Sequence, residues 1–363
     1  MRLRFVVVSM IVLALSATAG YAQTFTGTLD GYWSYNGNTP INGAGQRVNA
    51  SRAFDLYDQA FSFNYGELAV DYKPNNVGFR ADIGFGDAAE VVHYNETEIW
   101  RHIQQAYITA GTGKFTFDFG KWVTPFGAEV IETKDNLNYT RGFLFTYGIP
   151  FYHMGGRVIL GYNDKVSIAG FVVNGWDNVR ENNSAKSVGF SANIKPQGKI
   201  GLIANFLYGK ENAATDNSRE LYEGILNLNL IPRLSLSGDY VYGRDSAANL
   251  APGIDGPRVH WQAAAAYGKL NISENLNLNG RYEWFDDHDG FRTGAVQQLQ
   301  SATITAQVPV SDLNFWLEFR KDMSNTDAFP KTAAGPLGNI DSFVDHQNTF
   351  TIGLTYSFTK MVQ

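Results

Sequence analysis

Side chains able to do chemistry are unevenly spread along this chain. The six histidines are His93, His102, His153, His260, His288 and His346, and most lie in or near polar, charged stretches. His288 sits in the run Asp286-Asp287-His288-Asp289, and His346 follows Asp345. An Asp–His pair can orient a general base, but a base also needs a nucleophile in reach. Nothing in the sequence singles one out, so no catalytic residue is assigned and the chain is read as a non-enzyme. Hard carboxylates suit calcium, and Asp286, Asp287 and Asp289 are carried forward as a calcium expectation, although EF-hand spacing is missing. No other metal or cofactor is expected. Cysteine is absent, which removes thiolate chemistry and disulfides. A formal charge of −6 without a run of Lys or Arg gives no sign of a nucleic-acid partner.

The remaining charges follow a rule of position. Arg281 and Glu283 in RYE, and Glu318 and Arg320 in EFR, place opposite charges two residues apart. On a strand such pairs share a face. Arg80 and Asp82, Gln105, Arg157, Asn193, Asn205, Glu223, Asn227, Asp239, His260, Gln262 and Asp322 take the same polar parity in their segments. These faces could select solutes by charge or simply tie a wall together with ion pairs.

The elements that carry them alternate with a period of two. FTGTLDGYWSY puts Phe25, Gly27, Leu29, Gly31, Trp33 and Tyr35 on one face, and KIGLIANFLYG does the same with Ile200, Leu202, Ala204, Phe206 and Tyr208. Helical spacing fits poorly. Short links such as KPNN (73–76), GTGK (111–114) and IPR (231–233) alternate strictly with long polar links near 36–60, 87–100, 123–153, 174–186, 209–219, 243–258, 286–297 and 321–348. About sixteen strands result, with both ends on the short-turn side. That asymmetry predicts an all-β, transmembrane antiparallel β-barrel with short periplasmic turns and long extracellular loops. A soluble sandwich or solenoid would also alternate, but no repeat unit of fixed length is present.

Aromatic residues strengthen the barrel reading. Tyr72, Tyr162, Tyr267 and Tyr356 lie near short turns or the C-terminal end. Trp33, Trp176, Tyr208, Tyr242, Trp261 and Trp284 lie near long links. Two aromatic belts around an aliphatic band are expected at the two membrane interfaces. A Lys or Arg, by contrast, would cost about 2–4 kcal/mol on a midplane lipid face, so the charges belong to an aqueous lumen wall. Tyr32, Phe171 and Trp316 share that parity. The last strand ends on Tyr356 and Phe358, a form that resembles the C-terminal signal of outer-membrane barrels, although Thr359–Gln363 run past it.

Residues 1–22 read as a signal peptide: Arg2 and Arg4, an apolar core from Phe5 to Leu15, and Gly20 and Ala22 before the cut. Residues 23–363 would then be the barrel, exported by the general secretory route to a bacterial outer membrane. No later stretch approaches the roughly 20 apolar residues of a spanning helix, and mean hydropathy is −0.22.

The longest link, about 123–153, follows KFTFDFGKW. Pro125 stops the ladder, and Pro125, Phe126, Gly127, Glu129, Glu132, Lys134, Asp135 and Arg141 lead to an aromatic return, FLFTYGIPFYH. So many aromatics argue for burial in the lumen or on the rim, and long loops in compact folds are usually functional or disordered.

GKWVTPFGAEVIETKDNLNYTRGFLFTYGIPFYHMGGRV, then VVNGWDN, RYEWFDDHDGFRTG and LEFRKDMSN, resemble the OmpL-like β-barrel porin family over most of the chain after residue 22. The resemblance implies an outer-membrane porin that passes small hydrophilic solutes by diffusion. It implies outer-membrane lipid, periplasmic chaperones and the barrel-assembly machinery as partners, and a homotrimer is compatible with porins of this size. In general porins the third outside loop narrows the pore, and a sequence similar to Pro125-Phe126-Gly127 occurs there. The resemblance thus implies a constriction loop whose acids face wall arginines, for which Arg80, Arg157, Arg281 and Arg320 are the candidates. The interleaved charges lead us to expect weak ion selectivity. A plugged barrel acting as an adhesin or structural protein, or a barrel hydrolase, is the alternative.

Overall fold

A sheet with one apolar and one polar face can sit in lipid only if its two edges meet, because each unpaired backbone group costs several kcal/mol there. In the computed structural model they do meet. The structure describes residues 23–42, 44–197, 199–211, 218–246, 257–332 and 340–362; the leader expected at 1–22 lies outside them. The strands are β1 (Gln23–Asn36), β2 (Phe61–Tyr72), β3 (Val77–Phe85), β4 (Ile103–Thr112), β5 (Phe115–Val123), β6 (Tyr152–Asn163) and β7 (Val166–Val173). Next come β8 (Ser187–Gln197), β9 (Ile200–Lys210), β10 (Ser218–Ile231), β11 (Leu234–Ser246), β12 (Arg258–Ser273) and β13 (Leu276–Asp287). The last are β14 (Gln297–Val310), β15 (Leu313–Ser324), β16 (Phe329–Thr332), β17 (Ile340–Val344) and β18 (His346–Val362).

Fifteen strands in chain order and β18 form one closed antiparallel barrel of sixteen, and β16–β17 make a separate hairpin in the last long link. Closure is made by β1 on β18, from Gln23 opposite Val362 to Asn36 opposite Thr349. Strand length varies around the wall. β3, β4, β5 and β7 run 8 to 10 residues, whereas β10, β12, β14 and β18 run 14 to 17.

The period of two becomes two faces. Phe115, Phe117 and Phe119 stand exposed on the outside of β5, as do Phe350, Ile352, Leu354, Tyr356 and Phe358 on β18. Trp33, Tyr72, Tyr162, Tyr208, Tyr242 and Trp284 also have outward parity.

Three belt assignments are overturned. Trp176 is buried in the link after β7, and Trp261 and Tyr267 point into the barrel. For Trp261 and Tyr267 the cause is the phase of β12. Its run Ala263–Ala266 carries no face information, so the aromatics alone set the expected phase. In the fold Trp261 is held inward: its indole N–H donates to the Gly148 carbonyl at 3.1 Å, and its ring packs edge-on against Trp176. His260 and Gln262 therefore face outward near the extracellular end, where Tyr240 donates its hydroxyl to Gln262 at 3.0 Å and His260 stacks on His288.

Candidate functional site: the barrel lumen

Residues 124–151 leave β5 and enter the barrel. Pro125 ends the strand and gives its carbonyl to the Asn205 amide on β9 at 2.8 Å. Gly127 turns the chain with φ of +100°, and a Cβ there would meet the Glu129 carbonyl at 2.9 Å and Ile149 at 2.7 Å. Only glycine takes that conformation without strain. Phe126, Ile131, Phe143, Leu144, Phe145, Ile149 and Phe151 are buried in the interior cluster this loop builds.

The loop is fixed by carboxylates of the wall. Gly127 N–H donates to Glu223 at 2.7 Å and Ala128 N–H to Asp239 at 2.9 Å. Further along, Tyr139 N–H donates to Glu318 at 2.6 Å, as does the Thr140 hydroxyl at 2.5 Å. Leu144 N–H donates to Glu283 at 3.2 Å. Asp30 on β1 accepts from the Thr133 and Tyr139 hydroxyls, both at 2.5 Å. Arg141 braces the loop from within, donating to the carbonyls of Val130, Ile131 and Tyr139. Buried amides left without acceptors would cost about 1–3 kcal/mol each, so these acids do for the loop what a ladder does for a strand.

The four candidate arginines divide into two pairs. Arg281 and Arg320 have side chains 0% and 1% exposed. Arg281 bonds Glu129 of the loop at 2.5 Å and the Thr140 carbonyl at 2.5 Å. Arg320 bonds Asp322 at 2.6 Å and the Arg141 carbonyl at 2.5 Å, with Glu283 3.6 Å away. A second loop joins this network: Arg52, in the link 37–60, bonds Asp322 and Asp55, and Phe54 packs against Phe145 and Phe151. Such a buried network positions the loops, since removing one partner of a buried pair typically costs about 3–5 kcal/mol.

Arg80 and Arg157 behave differently, with side chains 34% and 20% exposed. Each has its Nε held from behind by a carboxylate, Asp82 at 2.9 Å and Asp118 at 2.7 Å. Arg157 lies over the rings of Tyr107 and Trp122. The expected set of four arginines facing loop acids is therefore not one cluster. Of the loop acids, Glu129 meets Arg281, Glu132 lies beside Glu67 of β2, and Asp135 pairs with Lys134.

Among the described residues, hydrogen bonds from 127–148 reach β1 and β10–β15, and none reaches β3–β8. The loop thus occupies one side of the lumen. The other side is lined by inward-facing, partly exposed Arg80, Tyr107, Thr116, Arg157 and Ser191.

Beyond β5 and β6 the extracellular rim is clasped. Asp177 accepts from Phe151 and Tyr152 N–H at 2.6 and 3.1 Å, and Glu96 accepts from Val179 N–H at 2.7 Å. Burial pushes Asp177 up to about 7.

The calcium expectation fails on geometry. Asp287 is taken up by Arg292 and Thr293 N–H and the Thr293 hydroxyl, Asp289 turns to His260, and Asp286 faces Gln262. No group of three His, Asp or Glu side chains among the described residues is arranged to hold a metal ion.

Asp30, Asp118 and Arg52 were not singled out from sequence. Asp30 and Asp118 sit at lumen parity in FTGTLDGYWSY and KFTFDFGKW, so alternation could have flagged them. Arg52 lies in a link without periodicity and carried no signal.

Residues 23–358 match the family described as "Putative beta-barrel porin-2, OmpL-like". No curated protein sequence matches the chain. Among solved structures, a trimer form of OmpT of Vibrio cholerae is similar with a TM-score of 0.62 at 14% identity, covering 93% of this chain and 100% of that one. The outer membrane channel DcaP of Acinetobacter baumannii gives 0.62 at 14%, covering 94% and 99%. An anion-selective porin from Comamonas acidovorans gives 0.60 at 9%, covering 93% and 100%. At these identities the likeness is one of fold.

Proposed function

Because this chain belongs to the OmpL-like β-barrel porin family, we propose that it is an outer-membrane porin through which small hydrophilic solutes diffuse passively. The carrying observation is the one-sided anchoring of residues 124–151: among the described residues, hydrogen bonds from 127–148 reach β1 and β10–β15 and none reaches β3–β8, where Arg80, Thr116, Arg157 and Ser191 stay partly exposed. Solutes pass between the loop and that free wall. The loop is a constriction, with Pro125, Phe126 and Gly127 setting its entry, and Glu129 and Arg141 fixing its shape. Glu132, Lys134 and Asp135 are the charges it brings toward solutes.

Selectivity follows from what water can reach. Arg80 and Arg157 each carry a carboxylate partner, and the loop contributes two acids and one lysine, so the passage is weakly ion-selective. Glu223, Arg281, Glu283, Glu318, Arg320 and Asp322 hold the loop and do not touch solutes. One neighbour is described as a trimer form, and a homotrimer is part of the proposal. Catalysis is not.

The dense ion network on β13–β15 favours a second reading, a barrel closed by its loops that serves as an adhesin. Planar-bilayer recordings of purified protein decide. Stable single-channel steps support the porin, and persistent electrical silence of correctly folded barrels would remove it.

A further inference from the structure

Beneath the inserted loop, on its β10–β12 side, lies a cavity of about 310 Å³. That is the small end of the range for small-molecule sites, roughly 300–1,000 Å³. Its wall comes from the ends of β10, β11 and β12 next to the short turn 232–233, and its roof from loop residues including Asp135 and Asn136. It is thus a vestibule on the periplasmic side of the constriction.

Its polar groups are prearranged. Ser237 donates its hydroxyl to the Asn227 side-chain oxygen at 2.8 Å, and Ser235 to that of Asn229 at 2.9 Å. Both asparagines therefore have their acceptor oxygens engaged and their amide N–H groups left to donate. Tyr267, buried in the same wall, has a hydroxyl with no hydrogen-bond partner. Lys269 lines the cavity and forms no ion pair among the described residues. A buried polar group without a partner is costly, so the Tyr267 hydroxyl is matched to an occupant, and half-exposed Lys269 adds a cation to the same wall.

Across the cavity the chemistry reverses. Asp135 closes a 3₁₀ turn (Thr133–Asp135); its side chain is 55% exposed, with one carboxylate oxygen held by Lys134 and the other left to accept. Asn136 stiffens that turn, donating to the Val130 and Glu132 carbonyls at 2.8 and 2.9 Å. One end of the cavity thus offers donors and a cation, the other an anion.

We propose that this vestibule is a binding site for small zwitterions of the amino-acid type. The solute carboxylate takes Lys269 with Asn227, Asn229 and Tyr267, and its ammonium takes Asp135. The site deepens the porin reading by naming a solute class. It rests on that reading for its transport meaning, but equilibrium binding can be measured without any current.

The test is titration calorimetry on the folded, full-length barrel in detergent, with L-alanine and with acetate, on wild type, Lys269→Gln, Lys269→Arg and Asp135→Asn. Heat-modifiable gel mobility confirms folding of each variant. L-alanine should bind saturably, with affinity falling about tenfold or more in Lys269→Gln and in Asp135→Asn, as expected for loss of a charge-assisted contact, and retained in Lys269→Arg. Acetate should respond to Lys269→Gln only. Equal L-alanine affinity in all four proteins, or no saturable heat, would overturn the site. Loss in Lys269→Gln alone, with acetate matching L-alanine, would overturn the zwitterion assignment in favour of a simple anion site. Parallel bilayer recordings separate the two failures: conductance without binding rejects this site, and binding without conductance rejects the porin.

Discussion

Glu318 is where the hold on the inserted loop can be broken without touching the barrel ladder. Its carboxylate accepts from Tyr139 N–H at 2.6 Å, Thr140 N–H at 3.2 Å, and the hydroxyls of Thr140 and Thr305 at 2.5 and 2.7 Å. Glu318→Ala removes all four at once. The hydroxyls can rotate to other acceptors, but the two buried amides cannot. At about 1–3 kcal/mol for each stranded donor, the inserted position loses about 2–6 kcal/mol. Each 1.4 kcal/mol is a factor of ten, so the displaced loop becomes at least about 30-fold more populated. The backbone bonds of β15 to β14 and β18 do not involve this side chain, and the barrel should remain heat-modifiable. Single-channel recordings should show a larger mean conductance with flicker, and limited proteolysis should cut within 124–151. Glu318→Gln, which keeps one acceptor oxygen, should fall between. A folded Glu318→Ala barrel with wild-type current traces and wild-type protease resistance would refute the reasoning.

Other substitutions probe neighbouring parts of the account. Arg80→Gln with Arg157→Gln exposes Asp82 and Asp118 to the passage, so the reversal potential in a salt gradient should shift toward cation preference, while Arg281→Gln should instead lower loop order. Gly127→Ala forces a side chain onto a φ of +100° against the Glu129 carbonyl. At roughly 1–3 kcal/mol for such strain, faster proteolysis of the loop should result. Asp177, raised to about 7 by burial, contributes stability that is complete below about pH 4 and lost as pH rises through about 7. Amide exchange at Phe151 and Tyr152 should therefore quicken from about pH 5 to 8 after correction for intrinsic rates, and Asp177→Asn should flatten that dependence.

The barrel was legible in the sequence because lipid imposes a rule that strands must obey residue by residue. Phe115, Phe117 and Phe119 alternate with Thr116 and Asp118, and no other environment asks for that pattern beside alternating short and long links. The rule fails where its signal vanishes. In β12 the alanines fit either face, and Trp261 reads by its chemistry as a belt residue, whereas its partner, the Gly148 carbonyl, lies far away in sequence. The inserted loop was recognisable as unusual from Pro125, Gly127 and its aromatic return. Its anchors were not, because Arg281 and Arg80 are equivalent in a strand pattern. What separates them is whether loop 124–151 crosses in front, a tertiary fact with no local trace. The acids Asp286, Asp287 and Asp289 misled for a related reason: adjacent carboxylates on a strand end point in different directions.

The absence of cysteine from the chain permits one direct test of where solutes pass. Single cysteines would be placed on the free wall, at Thr116 and Ser191, and behind the loop, at Thr303 and Thr305, which are almost fully buried. A negatively charged thiosulfonate is then added during single-channel recording. The account predicts stepwise conductance changes for Thr116→Cys and Ser191→Cys and none for Thr303→Cys and Thr305→Cys. Equal modification on both sides, or response only behind the loop, would contradict it.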